Sequence, residues 1–427
     1  MTGSEADLAR LRRELTDTLS HELAATGPAL DQESPLLWQR LDERLAALPV
    51  SPEQRLLLRR QVLDELVGYG PIQPLIDDAG ISEIMVNRPD NVYVERGGRL
   101  EKTAVVFEDE AHIRRVIERI VQPLGRRIGR HSPTVDARLP DGSRVHAVVP
   151  PVGLNGPSIT IRKFRKDKLT IDALIAANSL SPAMSEFLRA CVLTRLNIVV
   201  AGGAGSGKTT LLNVLSRLIP ETERVVTIED SAELQLHHDN IVRLETKHSE
   251  GEGDRPVSIR DLVVDSLRMR PDRIVIGECR GGEALDMLQA MNTGHDGSLT
   301  TIHANSPRDA IARLETMVLM AGLDFPLKVV RQLICSAVDL IVQLNRLRDG
   351  SRKVTSITEV IGMEGEAVVM NEVFRFEHGG TDADGKVLGE LRPTGIRPQF
   401  MPKMDAAGIK LPPQLFSSGM AESPRRR

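Results

Sequence analysis

Aromatic residues are scarce in this chain: among 427 residues there are one Trp, two Tyr and eight Phe. Proteins that bind single-stranded nucleic acid stack bases on aromatic platforms, so the shortage counts against that class. An excess of one charge is missing too. Fifty-five Lys plus Arg nearly balance 59 Asp plus Glu, and the net charge of −4 leaves no basic footprint for DNA. The three cysteines, Cys191, Cys279 and Cys335, form no CxxC pair. So sparse a set fits a reducing compartment and excludes a four-cysteine zinc site. No run approaches the roughly 18 consecutive apolar residues of a membrane-spanning helix. The opening MTGSEADLARLRREL lacks the apolar core of a secretory leader, so the expectation is a cytoplasmic protein without a membrane span.

What is present is an ordinary globular composition, 41% hydrophobic and 27% charged, in a chain long enough for two or three domains. Residues 1–67 read as a helical segment broken at Pro28, Pro35, Pro49 and Pro52. Its apolar stripes run through Leu8, Leu11, Leu15 and Leu19, then through Leu56, Leu57, Val62, Leu63, Leu66 and Val67. Residues 68–164 carry short strand patterns at 81–86, 91–95, 134–139, 144–149 and 158–164, with one helical pattern at 110–121. That mixture predicts an α+β domain. The basic run Arg162, Lys163, Arg165, Lys166, Lys168 then reads as a link. Residues 165–363 alternate apolar strands (197–200, 224–228, 274–277, 299–303) with helical patterns (258–269, 283–291, 307–320). Such alternation predicts an α/β fold built on a parallel sheet with helices on both faces. Residues 364–427 read as a C-terminal extension, and SSGMAESPRRR as a loose tail.

The chemistry centres on Gly202-Gly203-Ala204-Gly205-Ser206-Gly207-Lys208-Thr209, followed by Thr210. This matches GxxxxGK[ST] between a strand, NIVVA, and a helical segment, TTLLNVLSRL. Glycines let backbone N–H groups turn inward onto phosphate oxygens, and a helix N-terminus adds positive partial charge. Lys208 is placed to reach terminal phosphates and the Thr209 hydroxyl to hold Mg²⁺, which makes ATP with Mg²⁺ the expected ligand pair. Hydrolysis further requires carboxylates. RIVIGE ends at Glu278, at the carboxyl edge of a predicted strand, where ligands of open α/β sheets bind. TIEDSAE supplies Glu229, Asp230 and Glu233, any of which could act as base on water or simply line a solvated loop. His295 and His303, eight positions apart in GHDGSLTTIHANSP, lack the spacing of a zinc motif. Glycines around His295 suggest a loop near the active edge, whereas His237 and His238 read as surface residues.

Together the phosphate loop, TIEDSAEL, RMRPDRIVIGECRGGEA and GHDGSLTTIHANSP resemble the secretion ATPase superfamily, which powers type II and type IV secretion and type IV pili. GYGPIQPLIDD, SEIMVNRPDNVYVERGG, VDARLPDGSRVHAVVPP and GIRPQF…LPPQLF look like its CpaF branch, which drives tight-adherence (Flp) pili. The resemblance implies a RecA-like P-loop core and a homohexameric ring that acts on an inner-membrane platform protein. It makes Glu233 the general base, Glu278 the Walker B glutamate acting on Mg²⁺ and water, and His295 with His303 the linked histidine pair. It also assigns arginines of the preceding domain to the terminal phosphoryl group. By strand-end position these are Arg144 and Arg162, with Arg138 as a substitute; Arg280 fits the family's GExR pattern. The four-cysteine module of type II secretion ATPases is missing, so no metal beyond Mg²⁺ is implied. Two other classes stay open: an ATP-driven nucleic-acid translocase or conjugation-type secretion ATPase, and a nucleotide-regulated scaffold.

Overall fold

The computed structural model describes residues 5–24, 34–164, 170–236, 238–247 and 255–417. The chain divides into two units between Asp167 and Lys168, inside the basic run expected to link domains. Residues 165–169 of that run, His237 and the tail from residue 418 lie outside the described residues.

The first unit opens with helices α1 (Glu5–Ala24), α2 (Pro35–Ala46) and α3 (Pro52–Leu66), followed by the short α4 (Gln73–Asp77). Strands β1 (Ile81–Arg88), β2 (Asn91–Arg96) and β3 (Arg99–Lys102) precede α5 (Glu110–Val121), and β4 (Thr134–Arg138), β5 (Arg144–Val148) and β6 (Ser158–Arg162) follow it. Prolines begin α2 and α3, where a missing N–H costs nothing, and Ser51 with Gln54 forms a capping box on α3. Leu15, Leu19, Leu37, Leu41, Leu45, Leu58 and Val62 make the helical core. The predicted stripe is therefore off by part of a turn on α3: Leu56 and Leu57 face solvent while Leu58 packs inside. Nor is residue 67 a domain boundary. His112 of α5 meets Glu65 of α3 at 3.0 Å, and the Arg119 guanidinium donates to the Gly68 carbonyl at 2.6 Å.

The six strands form one antiparallel sheet in the order β3-β2-β1-β6-β5-β4. Asp109 caps α5, which buries Ile113, Val116, Ile117, Ile120 and Val121 against Val145, Ala147, Ile159 and Ile161 of the sheet. Each such side chain contributes roughly 1.5–3 kcal/mol relative to exposure. Because strand side chains alternate, Arg144 and Arg162 stand on the opposite face from α5.

The second unit contains α6 (Ile171–Ala176), α7 (Pro182–Leu193), β7 (Ile198–Gly202), α8 (Lys208–Ser216), β8 (Val225–Glu229), β9 (Ile241–Glu245) and α9 (Ile259–Ser266). It continues through β10 (Arg273–Cys279), α10 (Glu283–Asn292), β11 (Leu299–His303), α11 (Pro307–Leu319) and α12 (Leu327–Ala337). Strands β12 (Leu340–Arg346), β13 (Arg352–Glu364), β14 (Ala367–Thr381) and β15 (Val387–Pro393) lead to α13 (Met401–Ala406). One sheet runs β15-β14-β13-β12-β7-β11-β10-β8-β9. From β12 to β9 neighbours are parallel; β13, β14 and β15 extend it antiparallel. Two apolar cores cover its faces, which is why β7 reads as an unbroken apolar run and β8 is apolar but for Thr227 and its terminal Glu229.

The expected boundary at residue 363 falls inside β13, and the segment after it is no appendage. Phe374, Phe400 and Phe416 close around Phe187 of α7, with ring centroids 5.4–6.1 Å apart. Glu359 Oε1 accepts the N–H groups of Gln399 and Phe400 at 2.7 and 3.1 Å, and Lys403 reaches Asp339 at 3.0 Å. Through residue 417 the chain belongs to the same core.

Candidate active site

In a parallel sheet the carboxyl ends of the strands share one edge, and a ligand crevice opens where the strand order reverses. Here that point is β7, flanked by β11 on one side and β12 on the other. Gly202 ends β7 in register with His303 of β11 and Leu344 of β12. Glu229 closes β8 and Glu278 lies one residue from the end of β10, so both carboxylates belong to the same edge.

Residues 202–209 run as a glycine-rich turn from the end of β7 into the first turn of α8. A Cβ on Gly202 would lie 2.4 Å from Ser206 Oγ and 2.6 Å from the Leu344 carbonyl oxygen, so only glycine fits. Gly205 and Gly207 have φ of 64° and 98°, the left-handed region that other residues enter at a cost. Ser206 Oγ donates to the Gly203 carbonyl at 2.9 Å, and Lys208 Nζ reaches the same oxygen at 3.1 Å. Thr209 and Thr210 follow, half-buried, in the first turn of α8. No local pattern marks Arg352, whose Nε donates to the Gly205 carbonyl at 2.8 Å from 147 positions away. Its register partner Arg346 sits beside the same loop: its Nη1 would be 3.8 Å from a Cβ on Gly205.

Beyond β8 the chain turns back on itself. Glu229 is 3% exposed, and its Oε2 accepts the N–H groups of Glu233 and Leu234 at 2.7 and 2.9 Å. Burial pushes its carboxyl up to about 7, against the opposing pull of those two N–H groups. Glu233 is half-buried at this turn. Gln235 N donates to Asn213 Oδ1 at 2.7 Å, tying the turn to α8. Arg280 grips Glu278 Oε2 through Nη2 and Nε at 2.7 and 2.9 Å and approaches Asp230 Oδ2 at 3.6 Å. The GExR arginine thus bridges the two acidic strand ends.

The two histidines part company. His303 is exposed at the carboxyl edge beside Gly202. His295 precedes β11, and with strands rising roughly 3.3 Å per residue it sits at the opposite edge of the sheet. There Ser298 Oγ donates to its carbonyl and Asn197 Oδ1 holds the N–H groups of Gly297 and Ser298. Gly297 serves this packing: a Cβ there would meet Arg273 Nη1 at 2.1 Å, whereas Gly294 faces open space. His238 is also not a surface residue; it is buried, with Nε2 donating to the Pro220 carbonyl at 3.0 Å.

In the first unit, register aligns Arg138 with Arg144 and Arg144 with Arg162, one arginine on each of three adjacent strands. Glu83 continues the row on β1, its carboxylate 4.0 Å from Arg162. Like charges directly across a ladder are unfavourable, and the Glu83 carboxylate at the end of the row offsets part of that cost.

Residues 65–382 match the model of the family described as "Type II/IV secretion system protein". The chain belongs to that family. A putative conjugal transfer protein of Mycobacterium tuberculosis is 36% identical over 338 residues, 78% of this chain and 95% of the relative. The type IV secretion system protein VirB11 of Brucella suis is 36% identical over 309 residues, covering 66% and 86%. The crystal structure of the pilus retraction motor PilT with bound ADP superposes with a TM-score of 0.50 at 20% identity, covering 69% of this chain and 83% of that one. The fold of this secretion-family chain is RecA-like, as the sequence led one to expect. Mg²⁺ suits its donors: a hydroxyl on Thr209 and a carboxylate on Glu278 are hard oxygen ligands. Among the described residues no group of three His, Cys, Asp or Glu could form a cage of its own.

Proposed function

We propose that the protein is an ATP-hydrolysing motor of a type II/IV secretion-class machine. The observation that carries this reading is the gathering of the phosphate loop, Glu229, Glu278 and His303 on one sheet edge. Residues 202–210 bind the phosphates, Lys208 neutralises their terminal charge, and Thr209 with Glu278 holds Mg²⁺, which supplies further charge neutralisation when bound. Glu233 takes the proton of the attacking water. His303, beside Gly202, bonds the phosphate or registers its loss; His295, at the other edge, takes no part at this site. Arg144 and Arg162 supply positive charge to the transferring group, an effect worth ~10³ or more in rate. Arg138, paired with Arg144 across the ladder, is the substitute.

The motor works as a homohexamer in the cytoplasm, at the inner membrane through a platform protein. No described helix is long and apolar enough to cross a membrane, in keeping with force delivered through a docked partner. Its machine is a tight-adherence pilus, on the motifs after Leu66; the names of the M. tuberculosis and VirB11 relatives favour a conjugation-type secretion apparatus as the second reading. Lys208→Ala should abolish phosphate release from ATP, and normal turnover by that variant would overturn the site. Deleting the gene separates the machines: loss of surface pili supports the first, loss of plasmid transfer with pili intact the second.

A further inference from the structure

β8 is buried on both faces, yet its last residue is a carboxylic acid. A buried polar group is tolerated where hydrogen bonds compensate its lost hydration. In Glu229 one oxygen, Oε2, meets two successive N–H groups, those of Glu233 and Leu234. The side chain therefore closes the five-residue turn from Glu229 to Glu233. The adjoining strand makes room for it. A Cβ on Gly277 would lie 3.1 Å from Glu229 Cγ and 3.5 Å from Oε2, so β10 carries no side chain at the position just before Glu278. Thr301 Oγ1 of β11 donates to the Gly277 carbonyl at 2.7 Å and fixes that position from the other side. Glu229 is wedged between the turn bearing Glu233 and the strand bearing Glu278.

We propose that Glu229 is a positioning residue: by holding the N–H groups of Glu233 and Leu234 it sets where the Glu233 carboxylate stands relative to β10. The inference rests on the reading of Glu233 as the proton acceptor. The reach of the Glu229 side chain is what matters, not its charge. A glutamine keeps an accepting oxygen at the same distance, while an aspartate keeps the charge but is shorter by one carbon–carbon bond of about 1.5 Å. Displacements of that order in a reacting group can cost about a hundredfold in rate. Glu359 shows the same device in a purely structural setting, where it holds Gln399 and Phe400 far along the chain.

The test uses the full-length protein and its Glu229→Gln, Glu229→Asp and Glu233→Gln variants, with kcat and KM for ATP and amide hydrogen exchange at residues 233 and 234. Glu229→Gln should keep kcat within a few-fold and leave both amides protected. Glu229→Asp should lose kcat by about a hundredfold with KM little changed, and those amides should exchange faster. Equal kcat in the aspartate variant and the unmodified protein, equal damage in both Glu229 variants, or a loss confined to KM would each overturn the inference. Glu233→Gln separates this from the reading beneath it. Full activity there removes Glu233 as the base whatever Glu229 does, whereas an inactive Glu233→Gln beside a fully active Glu229→Asp refutes only the positioning role.

Discussion

Glu229 also makes the stability of the second unit depend on pH in a definite direction. Its carboxyl ordinarily titrates at 4.5, and burial raises it to about 7 in the folded chain. The folded state thus favours the protonated form, while the unfolded chain ionises first. The group's contribution is fully present below about 4.5, declines as pH rises through the window to about 7, and is gone above it. Multiplying the difference of about 2.5 units by 1.36 kcal/mol per unit gives about 3 kcal/mol. Part of this is already lost near pH 5, so the change from about pH 5 to about pH 8 is on the order of 2–3 kcal/mol. Glu229→Gln keeps the accepting oxygen and does not titrate. The informative quantity is the variant's unfolding free energy minus that of the unmodified protein, measured in urea across this range. Asp64 and Glu359, also raised by burial, titrate in both proteins and cancel in the difference. Trp38, Tyr69 and Tyr93 all belong to the first unit, so their fluorescence follows that unit and far-ultraviolet circular dichroism captures the remainder. The difference should grow with pH in favour of the variant; a flat difference would refute the assignment of a buried, reluctantly ionised carboxyl.

Elsewhere in the fold, Arg273 is fully buried and binds Glu223 while donating to the carbonyls of Val192 and Gly297. Arg273→Leu should cost about 3–5 kcal/mol, read as a lowered urea midpoint of the second unit, because Glu223 keeps only the half-exposed Arg195. Gly202→Ala should abolish nucleotide binding in calorimetry with the far-ultraviolet spectrum unchanged, since its methyl would meet Ser206 Oγ and the Leu344 carbonyl. If Arg144 and Arg162 act on a neighbouring subunit's nucleotide, mixing an Arg144→Ala/Arg162→Ala protein with Lys208→Ala should restore part of the turnover. No recovery at any ratio would count against action in trans.

Much of the architecture was legible because local signals agreed with the global answer. The helix at 110–121 begins after an aspartate cap, the phosphate loop carries its own strand and helix, and β11 matches the predicted 299–303. The misses have physical causes. β9 and β15 are partly exposed and β14 mixes polar with apolar residues, so neither strict alternation nor a buried run marks them. The segment after residue 364 looked like an extension because its contacts to Phe187, Glu359 and Asp339 are long-range. Arg352 escaped notice for the same reason. Glu229 was visible among three acids, but local spacing does not say which of them turns inward. His295 was misplaced because a glycine-rich loop suits close packing against Arg273 as well as it suits a ligand.

The two edges of the parallel sheet are held by opposite kinds of electrostatics. At the amino edge, Arg273, Glu223 and Asn197 are buried: Arg273 binds Glu223, and Arg273 and Asn197 are met by backbone groups of Gly297 and Ser298, just before β11, and of Ala337 at the end of α12. Breaking such a network costs several kcal/mol, so this edge stays a fixed frame for the strands. At the carboxyl edge, Arg280 is largely exposed as it pairs with Glu278 and Asp230. Exposed pairs of this kind are worth about 0–1 kcal/mol and are screened by salt. On the proposed reading, a phosphate-bound Mg²⁺ held by Thr209 and Glu278 would compete with this weak pair at little cost. The weak ties thus lie at the edge that carries Glu229, Glu278 and His303, and the buried, satisfied ones at the opposite edge.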